Sequence, residues 1–187
     1  MFTKRSRNVA PRPLDHARLE ELALAYVARF ATTAAKLERY LARNLRERGW
    51  ADDSEPPVAA LVARFVAAGY VDDAAYARAK SGSLLRRGYG QRRVAQALDA
   101  AGIAEPVREQ VRAGEATQRH AALAMASRRG FGPFGKGERE PADWPRQRQR
   151  QLAAMLRAGH PMDSARVLVD ARTIAEAEEW AAAAEDH

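Results

Sequence analysis

Apolar residues recur along this chain at three- and four-residue spacing, and no long run alternates apolar and polar positions in the manner of a strand. Leu19, Leu22, Ala23, Tyr26, Val27 and Phe30 share one face of a first helix, from about Asp15 to Ala31. Thr32-Thr33 follows as a turn and N-cap. Leu37, Leu41 and Leu45 then line a second helix that stops at Gly49. Residues 52–57 form a loop that opens a third helix, with Ser54 as the cap and proline suited to the first turn. That helix carries Val58, Leu61, Val62, Phe65 and Val66 and ends at Gly69.

The same signals then restart. Asp72 caps a helix whose first turn holds Asp73, where a negative charge suits the helix dipole. Tyr76 and Leu84-Leu85 follow, with Gly88 as the stop. Gly90 begins a shorter helix with Val94 and Leu98, ending at Gly102-Ile103, and Glu105-Pro106 opens another through Val107 and Val111. A third cycle starts near Thr117 and halts in a Gly-rich loop; it resumes with Leu152, Met155 and Leu156 to Gly159. Pro161-Met162-Asp163 then opens its last helix, with Leu168 and Val169. The second helices of the cycles align: Leu41-x3-Leu45-x3-Gly49-Trp50 matches Val94-x3-Leu98-x3-Gly102-Ile103, and Met155-x3-Gly159-His160 ends alike.

These patterns predict an all-α fold, a tandem array of three three-helix repeats. The boundaries read are a flexible basic arm at 1–13 and repeats at 14–70, 71–114 and 115–170. The third repeat carries the Gly-rich loop at 130–147, and an acidic C-terminal helix or tail occupies 171–187. Composition agrees: 47% of residues are hydrophobic but only 7% aromatic, and Ala with unbranched side chains favours helix.

The net charge of +7 favours a polyanionic partner or an acidic protein surface. Its distribution says more than its total. Residues 1–50 carry +6, 51–80 carry −2, 81–130 carry +5, 131–160 carry +3 and 161–187 carry −5, so positive charge recurs in blocks and the tail is acidic. The absence of Cys excludes disulfides and thiolate metal sites. No stretch approaches the ~20 apolar residues of a membrane span, and the first residues lack a signal-peptide core, so a cytoplasmic protein is expected.

Catalytic and cofactor motifs are weak. Gly130-Phe131-Gly132-Pro133-Phe134-Gly135 is a literal GxGxxG, but a dinucleotide fingerprint needs a strand before it and a helix directly after. A helix precedes it here and Pro133 removes one N–H, so a flexible inter-helix loop is the better reading. Phe131 and Phe134 are expected to pack on a neighbouring helix. The four His fall at no metal-ligand spacing, and Asp72 and Asp73, adjacent on a helix, point about 100° apart. No catalytic site, cofactor or metal is expected. The basic clusters carry more. Lys80, Arg86-Arg87 and Arg92-Arg93 flank Gly88-Tyr89-Gly90; Arg128-Arg129 ends a helix, and Arg146, Arg148 and Arg150 open the next. Arg39, Arg43 and Arg46 lie on roughly one face of the first repeat. Arginine offers multidentate donors for phosphate or carboxylate, and the recurrence at similar places points to a functional basic surface.

Residues 69–103 carry a specific resemblance. Gly69-Tyr70-Val71-Asp72-Asp73 leads to Tyr76-Ala77-Arg78, then Arg86-Arg87-Gly88-Tyr89-Gly90-Gln91-Arg92-Arg93-Val94, then Leu98 and Gly102-Ile103. This ordered pattern resembles the central signature of the RecX family, with weaker agreement over about 15–170. The resemblance implies an elongated, curved helical protein that binds RecA or the RecA–DNA filament and inhibits its recombinase and ATPase activities. It would thereby temper DNA repair and the SOS response, acting as a monomer without catalysis. It implies contact residues Arg78, Arg86, Arg87, Arg92 and Arg93, to which the basic clusters add Arg128, Arg129 and Arg148. Asp72, Asp73, Tyr76, Gly88, Gly90, Leu98 and Gly102 would shape the fold. Two departures stand out: Gly82 sits inside a helix, at about 1 kcal/mol against Ala, and the third repeat carries its long Gly-rich insertion. The alternative is a basic helical protein that binds single- or double-stranded DNA without RecA. Against it, no helix concentrates the short polar side chains that read base edges.

Overall fold

The computed structural model describes residues 12–135 and 142–184. The arm expected at 1–13 lies outside the described residues as far as residue 11, as do 136–141 of the Gly-rich segment and the last three residues. Ten α-helices are formed among the described residues, and they divide between two bodies, residues 1–73 and 74–187.

The first body contains α1 (His16–Arg29), α2 (Ala34–Arg48) and α3 (Val58–Ala67). Asp15 caps α1 by accepting from the Arg18 N–H at 2.9 Å, and Thr33 caps α2 by accepting from Lys36 at 3.2 Å. The three helices turn Leu19, Leu37, Leu41 and Phe65 into one core with Leu14 and Val71. Each such side chain, fully buried, contributes about 1.5–3 kcal/mol. A short parallel bridge adds a tie that helical periodicity does not announce. Leu14 N–H donates to Gly49 O at 2.9 Å and Ala51 N–H to Leu14 O at 2.8 Å. Ser54 does not cap α3. Pro57 holds the cap position without a side-chain bond, and the Ser54 carbonyl instead accepts from Trp50 Nε1 at 2.6 Å. Asp73 does more than sit near a helix dipole, because its carboxylate accepts from the Ala34 N–H at 2.9 Å, one of the orphan donors that open α2.

The second body holds α4 (Asp73–Arg86, its first residue assigned to the first body), α5 (Gln91–Ala100), α6 (Glu105–Gln110), α7 (Glu115–Arg129), α8 (Trp144–Arg157), α9 (Met162–Asp170) and α10 (Ile174–Ala182). Two cores form. Ala77, Leu84, Leu85, Val94, Leu98 and Ile103 make one. Met125, Leu152, Met155, Leu168 and Val169 anchor the other, and the half-buried Tyr89 packs against both. Gly82 does not break α4: Ser81 is buried and donates to the Val111 carbonyl at 3.3 Å, while the Arg86 guanidinium covers the space a Gly82 side chain would take.

The Gly-rich segment departs from expectation. Residues 130–135 are ordered by packing, not a flexible loop. Gly132–Phe134 forms a 3-10 turn, Gly132 N–H donates to the buried Gln151 Oε1 at 2.9 Å, and a Cβ on Gly132 would lie 2.2 Å from the Leu168 carbonyl oxygen. Phe131 and Phe134 pack on the same core. The loop read over 130–147 is also shorter, since α8 begins at Trp144 with Pro145 in its first turn, where no N–H is missed. The acidic segment after 171 forms α10, not a tail, as far as Ala182. Thr173 caps it, Ala177 and Ala181 are fully buried, and Arg119 lies 4.8 Å over the Trp180 ring while donating to the Trp180 carbonyl at 2.8 Å. The small residues of α7 permit that close approach.

Candidate functional site

The site grows from the way helices end. At the end of α4, Gly88 N–H donates to Leu85 O and Tyr89 N–H to Leu84 O, at 2.8 and 3.0 Å. This Schellman closure requires a left-handed residue at its centre, and Gly88 has φ +75°. The end of α8 repeats it through Gly159 and His160, and the end of α7 through Gly130 and Phe131. Cations are favoured in the last turn of a helix, where the carbonyls leave about half a negative charge. The last turns of these three helices accordingly hold Arg86 and Arg128-Arg129, with Arg157 in α8, and Arg87 lies between the last residue of α4 and its closing glycine.

Two of these corners meet backbone to backbone. Gly90 N–H donates to Ala158 O at 2.9 Å and Arg92 N–H to Gly159 O at 3.3 Å. A Cβ on Gly90 would lie 2.4 Å from the Gly159 carbonyl, and one on Gly159 2.4 Å from the Arg93 nitrogen. Only glycine at both positions allows the approach. The Arg92 guanidinium donates to the Leu156 carbonyl across the same joint.

Around this joint Arg87, Arg93, Arg128, Arg129 and Arg157 surround a cavity of about 410 Å³ whose floor is Gly88, Tyr89, Met125, Ala154 and Ala158. No carboxylate lines it. Arg128 donates to the Arg87 carbonyl and covers Gly88, where a Cβ would come within 2.7 Å of its guanidinium. Arg87 lies 5.5 Å over the Tyr89 ring. Arg93, Arg129 and Arg157 are exposed and make no hydrogen bond or ion pair through their guanidiniums among the described residues, so their donors face the cavity's solvent. Five permanently charged guanidiniums outweigh the partial charges of the helix ends. Its five guanidiniums can grip an anion multidentately.

The expected contact residues are thus sorted. Arg87, Arg93, Arg128 and Arg129 come together, and Arg92 is engaged beside them. Arg78 is exposed elsewhere on α4. Arg86 lines a different hollow with Gly82, Leu85 and His120. Arg148 stands apart in a two-pronged ion pair with Asp170, both bonds 2.6 Å, joining α8 to α9. That hydrogen bond also raises its pKa above the usual arginine value. Arg157 belongs to the cavity and was not singled out from sequence. The signal was present, since Arg157-Ala158-Gly159 repeats the Arg-before-Gly ending of α4 and α7. Among the expected shaping residues, Leu98 is buried, Tyr76 is half-buried against the same core, and Gly102 has φ +78°; Asp72 is exposed.

His160 seals the underside of the joint. It is 3% exposed and its Nε2 lies 3.0 Å from the Gly88 carbonyl, so Nε2 carries the proton and donates. Burial lowers its pKa below 6.5, opposed in part by that bond. The unfolded chain therefore binds more protons than the folded one between the lowered value and 6.5, and stability falls as pH drops through that window. The slope reaches at most about 1.4 kcal/mol per pH unit. Urea midpoints measured on either side of pH 6.5 should show the fall in the wild type, and His160→Gln should flatten it.

The fold and the cavity define a class: an all-helical protein of tandem three-helix units with a cavity ringed by arginines. No helix among the described residues is long and apolar enough to cross a membrane. Residues 72–111 match the family model for the second three-helix domain of RecX. The chain is 35% identical over 178 residues to the regulatory protein RecX of Myxococcus xanthus strain DK1622, with 89% of each chain covered. Its fold is similar to that of the crystal structure of RecX from Lactobacillus salivarius, at a TM-score of 0.62 and 15% identity, covering 82% of this chain and 93% of that one. The chain belongs to the RecX family of regulatory proteins.

Proposed function

We propose that the chain binds RecA or the RecA–DNA filament and inhibits its recombinase and ATPase activities, tempering DNA repair and the SOS response. The observation that carries the reading is the five-arginine cavity, seated within the segment that matches the family's second domain and its neighbouring helices. Phosphates of filament DNA, or carboxylates on the filament protein, satisfy such a set of forked donors. Behind it two helix corners touch backbone to backbone, a contact that on this reading preorganises the guanidiniums for an extended anionic surface. On this reading Arg78 and Arg86 flank the main contact, and the protein acts as a monomer.

The test is RecA's single-stranded-DNA-dependent ATP hydrolysis with the purified protein titrated in. Hydrolysis is expected to fall at well under one protein per RecA, because one molecule seated on a filament blocks more than one subunit. No fall even in molar excess would refute a role on RecA and leave DNA itself as the partner.

A further inference from the structure

The first body carries a second basic surface, remote in sequence from the arginine cavity and different in chemistry. Tyr26 of α1 stacks on Tyr40 of α2, with ring centroids 4.2 Å apart and planes within 17°. Phe30, the extended residue that closes α1, continues the row 5.4 Å from Tyr26. An arginine stands at each end, Arg29 at 5.5 Å from the Phe30 centroid and Arg43 at 5.7 Å from that of Tyr40. These groups, with Lys36 and Arg39, line a groove of about 600 Å³ with no carboxylate in its lining. Arg43 has Glu47 at 3.9 Å, but both side chains are well exposed and the pair is weak.

Packing of α1 on α2 accounts for the tyrosine stack. It does not account for Phe30, which leaves 50% of its surface in water, or for four cations gathered around aromatic rings. Together they make the combination that takes unpaired nucleotides: ring faces on which bases of any identity stack, and cations that follow the phosphates. We propose that this groove binds single-stranded nucleic acid directly, with Phe30 as the stacking platform and Arg29, Lys36, Arg39 and Arg43 on the backbone. A duplex keeps its bases stacked on each other and can use only the cations, so the exposed ring is what selects the single strand. The groove works without RecA and without the arginine cavity.

The experiment uses the whole chain alone, with fluorescence anisotropy of a labelled oligothymidylate and of a duplex of equal length at low salt. Phe30→Leu keeps apolar bulk and removes the ring face; it should weaken single-strand binding about 5-fold or more and change duplex binding less than about 2-fold. Phe30→Tyr should restore the single-strand affinity. Arg29→Ala with Arg43→Ala should make the salt dependence shallower, by about 0.7 in the log–log slope for each phosphate that no longer meets a cation. Circular dichroism establishes that each variant keeps its helicity. Equal losses for both nucleic acids with Phe30→Leu, no loss for either, or failure of Phe30→Tyr to restore binding would overturn the proposal. Because RecA is absent, none of these outcomes depends on the proposed action on the filament.

Discussion

Gly159→Ala is expected to destabilise the body formed by residues 74–187 by about 3 kcal/mol or more. Two costs combine. An L side chain at φ +95° meets the steric penalty of a left-handed backbone, about 1–2 kcal/mol. The new Cβ would also lie 2.4 Å from the Arg93 nitrogen and 3.1 Å from the Gly90 carbonyl oxygen, and forcing well-packed groups apart typically costs about 1–3 kcal/mol more. Neither neighbour is a side-chain tip that can swing aside; both are backbone. Gly49→Ala is the control, since it ends the equivalent helix of the first body at φ +82° but its Cβ would meet nothing within 4 Å. It should show the backbone penalty alone. Urea denaturation followed by circular dichroism, with amide exchange locating the loss in α5 and α8, measures the difference. Equal effects for the two substitutions would mean that the joint yields easily and does not hold the arginines in place.

Replacing Arg93, Arg129 and Arg157 together by Ala is expected to abolish most filament inhibition while leaving the fold intact. These three make no side-chain hydrogen bond or ion pair among the described residues, so the change in stability should stay within about 0.5 kcal/mol, as for surface positions generally. Arg87 and Arg128 are spared because Arg128 bonds the Arg87 carbonyl and covers Gly88. If each guanidinium adds about 1 kcal/mol to binding, a conservative value for charge-assisted bonds, inhibition should need roughly 100-fold more protein. The salt dependence of binding to filament DNA should also flatten by about 0.7–0.9 for each phosphate deprived of its arginine. Arg148→Ala tests the sorting of the arginines. Its guanidinium is spent on Asp170, so inhibition should hardly change. Undiminished inhibition by the triple variant would move the contact surface away from the cavity.

Local signals predicted local structure well. Thr33 caps α2 as its position suggests, and Gly49, Gly88, Gly102 and Gly159 all carry the positive φ that a stop at those positions requires. Each of these depends on a few adjacent residues, and the interactions that decide it act within one turn. Where a distant partner competes, the local reading gives way. Ser54 could have capped α3, but the chain there serves Trp50 through its carbonyl. Asp73 reads as a first-turn carboxylate, and only the folded chain brings Ala34 to it across 39 residues. Gly132 reads as loop freedom and is in fact packed against the α9 backbone, which no pattern of neighbours reveals.

The same division runs through the site. By itself the sequence determined an all-helical chain, its repeating Gly-ended helices, its blocks of arginine and its resemblance to the RecX family, because helix periodicity, capping and charge are properties of contiguous residues. The tertiary structure alone decided which arginines come together. Arg87 and Arg157 are 70 positions apart, yet they share a cavity because Gly90 and Gly159 let two helix corners touch. Arg148 carries the same charge and is withdrawn from it by Asp170. Charge is written residue by residue, whereas an electrostatic site depends on distance, and distance between remote residues exists only once the chain has packed.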